Sequence, residues 1–83
     1  MFVILVYDVS VKHNRRISRI CESYLYRTQQ SVFEGVLTEN QLLKLKAQLQ
    51  PLIDVTSETI SIYEVSNTSN ITKQSIGCIP CWD

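Results

Sequence analysis

Phe2-Val3-Ile4-Leu5-Val6-Tyr7 runs without a polar interruption and is built from β-branched, aliphatic and aromatic side chains. That pattern predicts a central strand over residues 2–8, covered on both faces. From Asn14 the apolar period changes: Ile17, Ile20, Cys21 and Tyr24 fall at i, i+3, i+4 and i+7, one stripe of a helix spanning roughly 13–25. Arg27 to Leu37 is β-prone again, but its alternation slips around Phe33-Glu34-Gly35. One bent strand or two is expected there, with Gly35 marking the break. Thr38 and Gln41 form a capping box ahead of Leu42, Leu45 and Leu49, and Pro51 closes the stretch, which sets a second helix at roughly 39–50. Thr59-Ile60-Ser61-Ile62-Tyr63-Glu64-Val65 alternates cleanly, as a strand with one buried face does. Ser66 to Asn70 is polar throughout and reads as a loop, and residues 71–83 keep enough hydrophobicity for one short strand.

Strand, helix, strand region, helix, strand is the βαββαβ order of an α+β, ferredoxin-like fold, with two helices on one face of an antiparallel sheet. Residues 1–65 form this core, 66–70 a polar linker, and 71–83 a terminal strand that the linker lets pair with its own sheet or across a dimer. A homodimer is expected, because such a sheet leaves one face and one edge uncovered and a chain of 83 residues gains by burying them against its own copy.

Composition narrows the class. Hydrophobic residues at 45% and charged residues at 19% describe a chain that folds rather than a disordered one. No apolar run approaches the roughly 20 residues that span a bilayer, and no positively charged segment precedes the first strand, so neither a membrane span nor a secretory signal is expected. Three cysteines are too few, and odd in number, for a disulfide scaffold; the cytoplasm is the simpler compartment, where the sequons at Asn67 and Asn70 carry no meaning.

A formal charge of zero conceals a strong asymmetry. Residues 9–33 carry Lys12, Arg15, Arg16, Arg19 and Arg27 against Glu22 alone, a net +4, whereas residues 34–83 are net −3. Arginine's planar fork matches phosphate oxygens, so this stretch points to a nucleic-acid backbone. The plainer alternative is a solvated helix face on which Arg19 pairs with Glu22 or Glu39. Asp8 ends the apolar first strand and emerges beside the basic helix start. It serves either as a turn residue or as a functional carboxylate. If a two-fold axis brought two copies of Asp8 together, they would form the kind of pair that holds Mg²⁺.

Tyr7-Asp8-Val9, Asn14-Arg15-Arg16, the run from Arg27 through Gln29-Gln30-Ser31-Val32-Phe33-Glu34-Gly35 to Thr38, Gln41-Leu42 and Leu45-Lys46 together resemble the second CRISPR-associated core protein family, Cas-two. The resemblance covers residues 2–65. It implies a ferredoxin-like homodimer that partners the Cas-one integrase in spacer acquisition, and a metal-dependent nuclease activity using Mg²⁺ or Mn²⁺. It makes Asp8 the catalytic metal ligand, and Tyr7, Arg15, Arg16, Arg27, Ser31 and Phe33 the nucleic-acid-binding surface. Unlike many relatives, this chain has no further acid in Val9-Ser10-Val11-Lys12-His13, and Tyr24-Leu25-Tyr26 stands where a glycine often precedes the motif arginine.

As an enzyme it would hydrolyse a phosphodiester of DNA or RNA, leaving a 5′-phosphate, with Arg15, Arg16 and Arg27 holding flanking phosphates. The alternative is a non-catalytic dimeric scaffold that lays its doubled arginine strip along a DNA duplex and spaces two integrase copies. A small-metabolite regulator is a third class, but no glycine-rich phosphate loop supports it. His13 reads as a bystander at a helix start and Cys21 as helix core. Cys78 and Cys81 have the spacing of half a zinc or redox site but lack a second pair, and Trp82 reads as an edge or dimer contact.

Overall fold

The alternation along β1 (Phe2–Asp8) decides the architecture. Val3, Leu5 and Tyr7 are buried beneath two helices, while Phe2, Ile4 and Val6 turn to the opposite side. In the computed structural model, which describes residues 1–67 and 70–77 (backbone only for 66, 67 and 70–75), β1 leads into α1 (Val11–Glu22) and the hairpin β2 (Tyr26–Gln29) and β3 (Val32–Val36). The chain continues through α2 (Glu39–Leu49), a 3-10 turn at Gln50–Leu52, β4 (Thr59–Asn67) and β5 (Asn70–Gly77). The strands form one antiparallel sheet in the order β2-β3-β1-β4-β5. This is the expected α+β, ferredoxin-like βαββαβ arrangement, with a fifth strand added outside β4.

Ile17 and Cys21 of α1 and Leu42, Leu45 and Leu49 of α2 pack on Val3, Leu5, Phe33, Ile60 and Ile62 of the sheet, with Leu25, Leu37 and Ile53 sealing the ends. Burial pushes the Cys21 thiol up to about 12, so it acts as a small apolar core group. The capping box at α2 forms as expected: Gln41 N–H donates to Thr38 Oγ1 at 3.1 Å, and Thr38 N–H to Gln41 Oε1 at 2.9 Å.

Four expectations need correction. Helix one is shifted toward the N-terminus, to Val11–Glu22, because Ser10 already occupies the N-cap position and the Ser23 hydroxyl bonds back to Ile20 O at 2.6 Å as the helix ends. The strand region breaks between Gln29 and Val32, not at Gly35. Gly35 stays in register opposite Val3, and the space its missing side chain leaves is used by Leu25, whose Cδ2 would lie 3.0 Å from an added Cβ. Within the polar stretch 66–70, Ser66, Asn67 and Asn70 belong to strands rather than to a loop: β4 extends to Asn67 and β5 begins at Asn70, paired with β4 down to Thr59 opposite Gly77. Position 77 requires glycine: its φ is +98°, and an added Cβ would run into Glu58 O. Finally, among the described residues β1 is covered by helices on one face only. Phe2, Ile4 and Val6, with Val32 and Val36 of β3, Tyr26 of β2 and Tyr63 and Val65 of β4, make a helix-free apolar face on which Val36 is 74% and Tyr26 81% exposed.

Candidate nucleic-acid interface

β1 delivers Tyr7 and Asp8 at one end of the sheet but on opposite faces, as neighbouring strand residues must be. Asp8 lies on the helix-free face, exposed, opposite Thr59 of β4. Its side chain makes no hydrogen bond, and the Thr59 hydroxyl oxygen is buried without a partner, among the described residues. Tyr7 is buried under α1. Its hydroxyl lies 2.9 Å from Asn14 Oδ1 and 3.3 Å from the Gln30 carbonyl, either of which can accept its proton, and 3.0 Å from Ser18 Oγ.

Three of the sequence-predicted residues stand together on the helix side. The Tyr7 and Phe33 rings stack with centroids 6.1 Å apart, and the Arg27 guanidinium carbon sits 5.1 Å from the Phe33 ring centre. Arg27 donates from Nη2 to Ser18 Oγ at 2.7 Å and from Nη1 to the Gln30 carbonyl at 3.1 Å, with the Glu22 carboxylate 3.8 Å away. Ser31 joins through its backbone, accepting the Tyr7 N–H at 3.1 Å. Arg15 and Arg16 make no hydrogen bond to this group and lie exposed on α1 with Lys12 and Arg19. None of those four cations has an ion-pair partner among the described residues, so the predicted Arg19 pairing with Glu22 or Glu39 does not form; Glu22 pairs with Arg27 instead. The four line a groove of about 510 Å³ whose far wall is Pro51 and Leu52. Cations left unpaired on one helix stripe set up a positive field that counter-ions or phosphates must neutralise.

Glu58, which the sequence did not mark, is a buried acid with three hydrogen-bond donors around it. It is 4% exposed and accepts from Asp54 N–H at 2.7 Å, Ser10 N–H at 2.8 Å and His13 Nδ1 at 2.8 Å. His13 is therefore a partner in a clasp, not a bystander, and the clasp ties the start of α1 to the turn before β4. The two backbone donors, Asp54 first and Ser10 second, hold the Glu58 carboxyl down at about 2 from an ordinary 4.5. A depressed carboxylate contributes stability that is full above pH 4.5 and is lost as pH falls through 2. Glu58→Gln is thus expected to reduce stability at pH 7, because its amide N–H₂ faces N–H donors, and to flatten the decline between pH 4.5 and 2. Urea denaturation across that range checks both effects.

No group of three His, Cys, Asp or Glu side chains that would hold a metal occurs among the described residues. Asp8 does fit one role of a magnesium site, which uses one or two carboxylates beside water and phosphate oxygens. Its carboxylate is uncommitted, and the orphaned Thr59 hydroxyl adds a neutral oxygen at the same end of the sheet. Cys78, Cys81 and Trp82 lie outside the described residues.

The family model for CRISPR associated protein Cas2 matches residues 1–72. The chain belongs to the Cas2 family. It is 35% identical over 77 residues to the CRISPR-associated endoribonuclease Cas2 of Frankia alni, covering 93% of this chain and 88% of that protein. It is 34% identical over an alignment of 89 positions to the CRISPR-associated endonuclease Cas2 of Halalkalibacterium halodurans, covering 100% and 93%. Among solved structures, Cas2 of Streptococcus pyogenes at pH 6.5 matches with a TM-score of 0.74 at 30% identity, over 82% of this chain and 89% of that one. The Cas2 match takes in β1 to β4 and the start of β5, and so includes Asp8, the α1 cations and the Arg27–Phe33 stack. No helix among the described residues is long and apolar enough to cross a membrane.

Proposed function

We propose that two copies of this chain pair through the helix-free sheet face, bind nucleic acid along the α1 strips, and hydrolyse phosphodiesters of RNA or DNA with Mg²⁺ or Mn²⁺ held by Asp8 of each copy. In this reading the dimer acts in the cytoplasm with the Cas-one integrase when spacers are acquired. The observation that carries it is the strip of four cations on α1, without ion pairs among the described residues, which starts at Lys12, four residues beyond Asp8. The names of the Frankia and Halalkalibacterium relatives support the nuclease part.

The chain's own residues divide the work. Arg15 and Arg16 bind and orient the phosphate backbone, Arg27 is fixed against Phe33 to contact it, and Tyr7 and Ser31 hold the β1 end in place. The metal ion, when bound, supplies positive charge to the reacting phosphate and acidifies a water. A second reading, a non-catalytic scaffold that grips duplex DNA, is favoured by the absence, among the described residues, of a metal-holding group of three His, Cys, Asp or Glu side chains.

The test is binding and hydrolysis measured on labelled RNA and DNA with Mg²⁺, Mn²⁺ or EDTA. Binding is expected to weaken steeply with salt, and Arg16→Gln to reduce the log–log slope by about 0.7–0.9 for each phosphate contact removed. Hydrolysis that needs the metal supports the nuclease; salt-dependent binding with no hydrolysis supports the scaffold. Binding insensitive to salt excludes both.

A further inference from the structure

We propose that the recess between α1 and the β2–β3 hairpin is a receptor for one phosphoryl group of the bound nucleic acid, with Arg19 and Asn14 among its binding residues. This rests on the nucleic-acid reading above and narrows it to one subsite. The recess, about 540 Å³, is walled by Asn14, Arg15, Ser18 and Arg19 on α1 and by Arg27 and Gln30 on the hairpin. It is separate from the groove along Pro51 and Leu52, and Arg15 and Arg19 border both.

Acceptors in this recess are largely consumed from within. Asn14 Oδ1 and the Gln30 carbonyl face the Tyr7 hydroxyl, Ser18 Oγ takes an Arg27 hydrogen, and the same Gln30 carbonyl takes another. With its oxygen turned to Tyr7, the Asn14 amide keeps its N–H₂ for a ligand. Arg27 spends two of its N–H donors on the fold and keeps the rest. Arg15 and Arg19 add two guanidinium groups with no ion pair among the described residues. Glu22 is the only acid in the lining and already stands 3.8 Å from Arg27.

Three guanidinium groups against one carboxylate, with donors in excess, select an anion. Because the donors come from two walls, the lining suits a tetrahedral group with several oxygens better than a planar carboxylate, which one fork would satisfy. Arg27 is also held before the ligand arrives, by two hydrogen bonds and the Phe33 face, so little side-chain freedom is lost on binding. The Pro51 groove has no cation fixed in this way. The phosphoryl group could belong to an internal phosphodiester or to a 5′-terminal phosphate.

The experiment is fluorescence anisotropy in EDTA on 3′-labelled oligonucleotides carrying either a 5′-phosphate or a 5′-hydroxyl, with inorganic phosphate titrated separately and followed by NMR of side-chain N–H signals. Arg19→Gln is expected to weaken binding about tenfold, the loss of one charge-assisted contact, and Arg19→Lys to recover only part of it. Lys44→Gln on α2 should change affinity less than twofold, the scale of an exposed charge outside the recess lining. Phosphate should shift the Asn14 and Arg27 side-chain signals. A loss confined to the 5′-phosphorylated oligonucleotide assigns a terminal phosphate, and an equal loss on both assigns an internal one. The proposal is overturned if Arg19→Lys binds as wild type and phosphate leaves the Asn14 and Arg27 signals unmoved, for then only a diffuse field acts. If the wild type binds neither oligonucleotide yet phosphate shifts those signals, the nucleic-acid reading fails and the recess stands as an anion site.

Discussion

Asp8→Asn is expected to reduce metal-dependent hydrolysis at least 100-fold while leaving nucleic-acid affinity in EDTA within twofold of wild type. The first half follows from chemistry. Asparagine keeps the size and one oxygen of the side chain but removes the charge that a hard divalent cation requires. The second half follows from geometry: the Asp8 side chain is on the helix-free face, makes no hydrogen bond among the described residues and shares no contact with the α1 cations, so neither fold nor phosphate binding depends on it. Removing a carboxylate near a polyanion should, if anything, help binding slightly. Single-turnover hydrolysis with Mg²⁺ and Mn²⁺, run beside anisotropy in EDTA, separates the two quantities. Equal hydrolysis by wild type and variant would remove Asp8 from the reaction and leave the scaffold reading as the better one.

What could be read from the chain follows from how local each feature is. The strand β1, the α2 capping box and the β4 alternation are written in consecutive residues, and each forms where its pattern lies. The α1 cations were equally legible, since i, i+3, i+4 and i+7 spacing places Lys12, Arg15, Arg16 and Arg19 on one stripe. The separation of Tyr7 from Asp8 is also a local matter, because period two alone puts them on opposite faces. The Glu58 clasp is different: Ser10 and His13 lie 48 and 45 residues away, and nothing in Ser57-Glu58-Thr59 distinguishes a buried, triply bonded acid from a surface one. The position of the hairpin break is hidden from the sequence for a related reason. Gly35 looks like a weak point in sequence, but its role is to admit Leu25, a contact that only the packed structure defines. Arg27 likewise reads as a free cation until the fold sets it on Phe33 and Ser18.

Ile4→Glu is expected to convert a dimer into a monomer that stays folded. Ile4 sits on the central strand, on the helix-free face, with Glu34 of β3 and Tyr63 of β4 as its cross-strand neighbours. Its own helices lie on the other side, so the core formed by Val3, Leu5 and Tyr7 is untouched and far-ultraviolet circular dichroism should not change. In a pair joined through this face, the substitution would bury a carboxylate beside Glu34 in each copy. An unpaired buried charge costs on the order of 3 kcal/mol, so two copies weaken association by roughly four decades. Light scattering after gel filtration reads the mass directly. On the proposed paired-carboxylate reading, hydrolysis should fall with the loss of the dimer, because that reading needs Asp8 from both copies. Binding should lose the contribution of the second α1 strip but keep that of the first. A variant that remains dimeric at micromolar concentration would show that the copies meet elsewhere, and the paired-carboxylate reading of Asp8 would fall with that result.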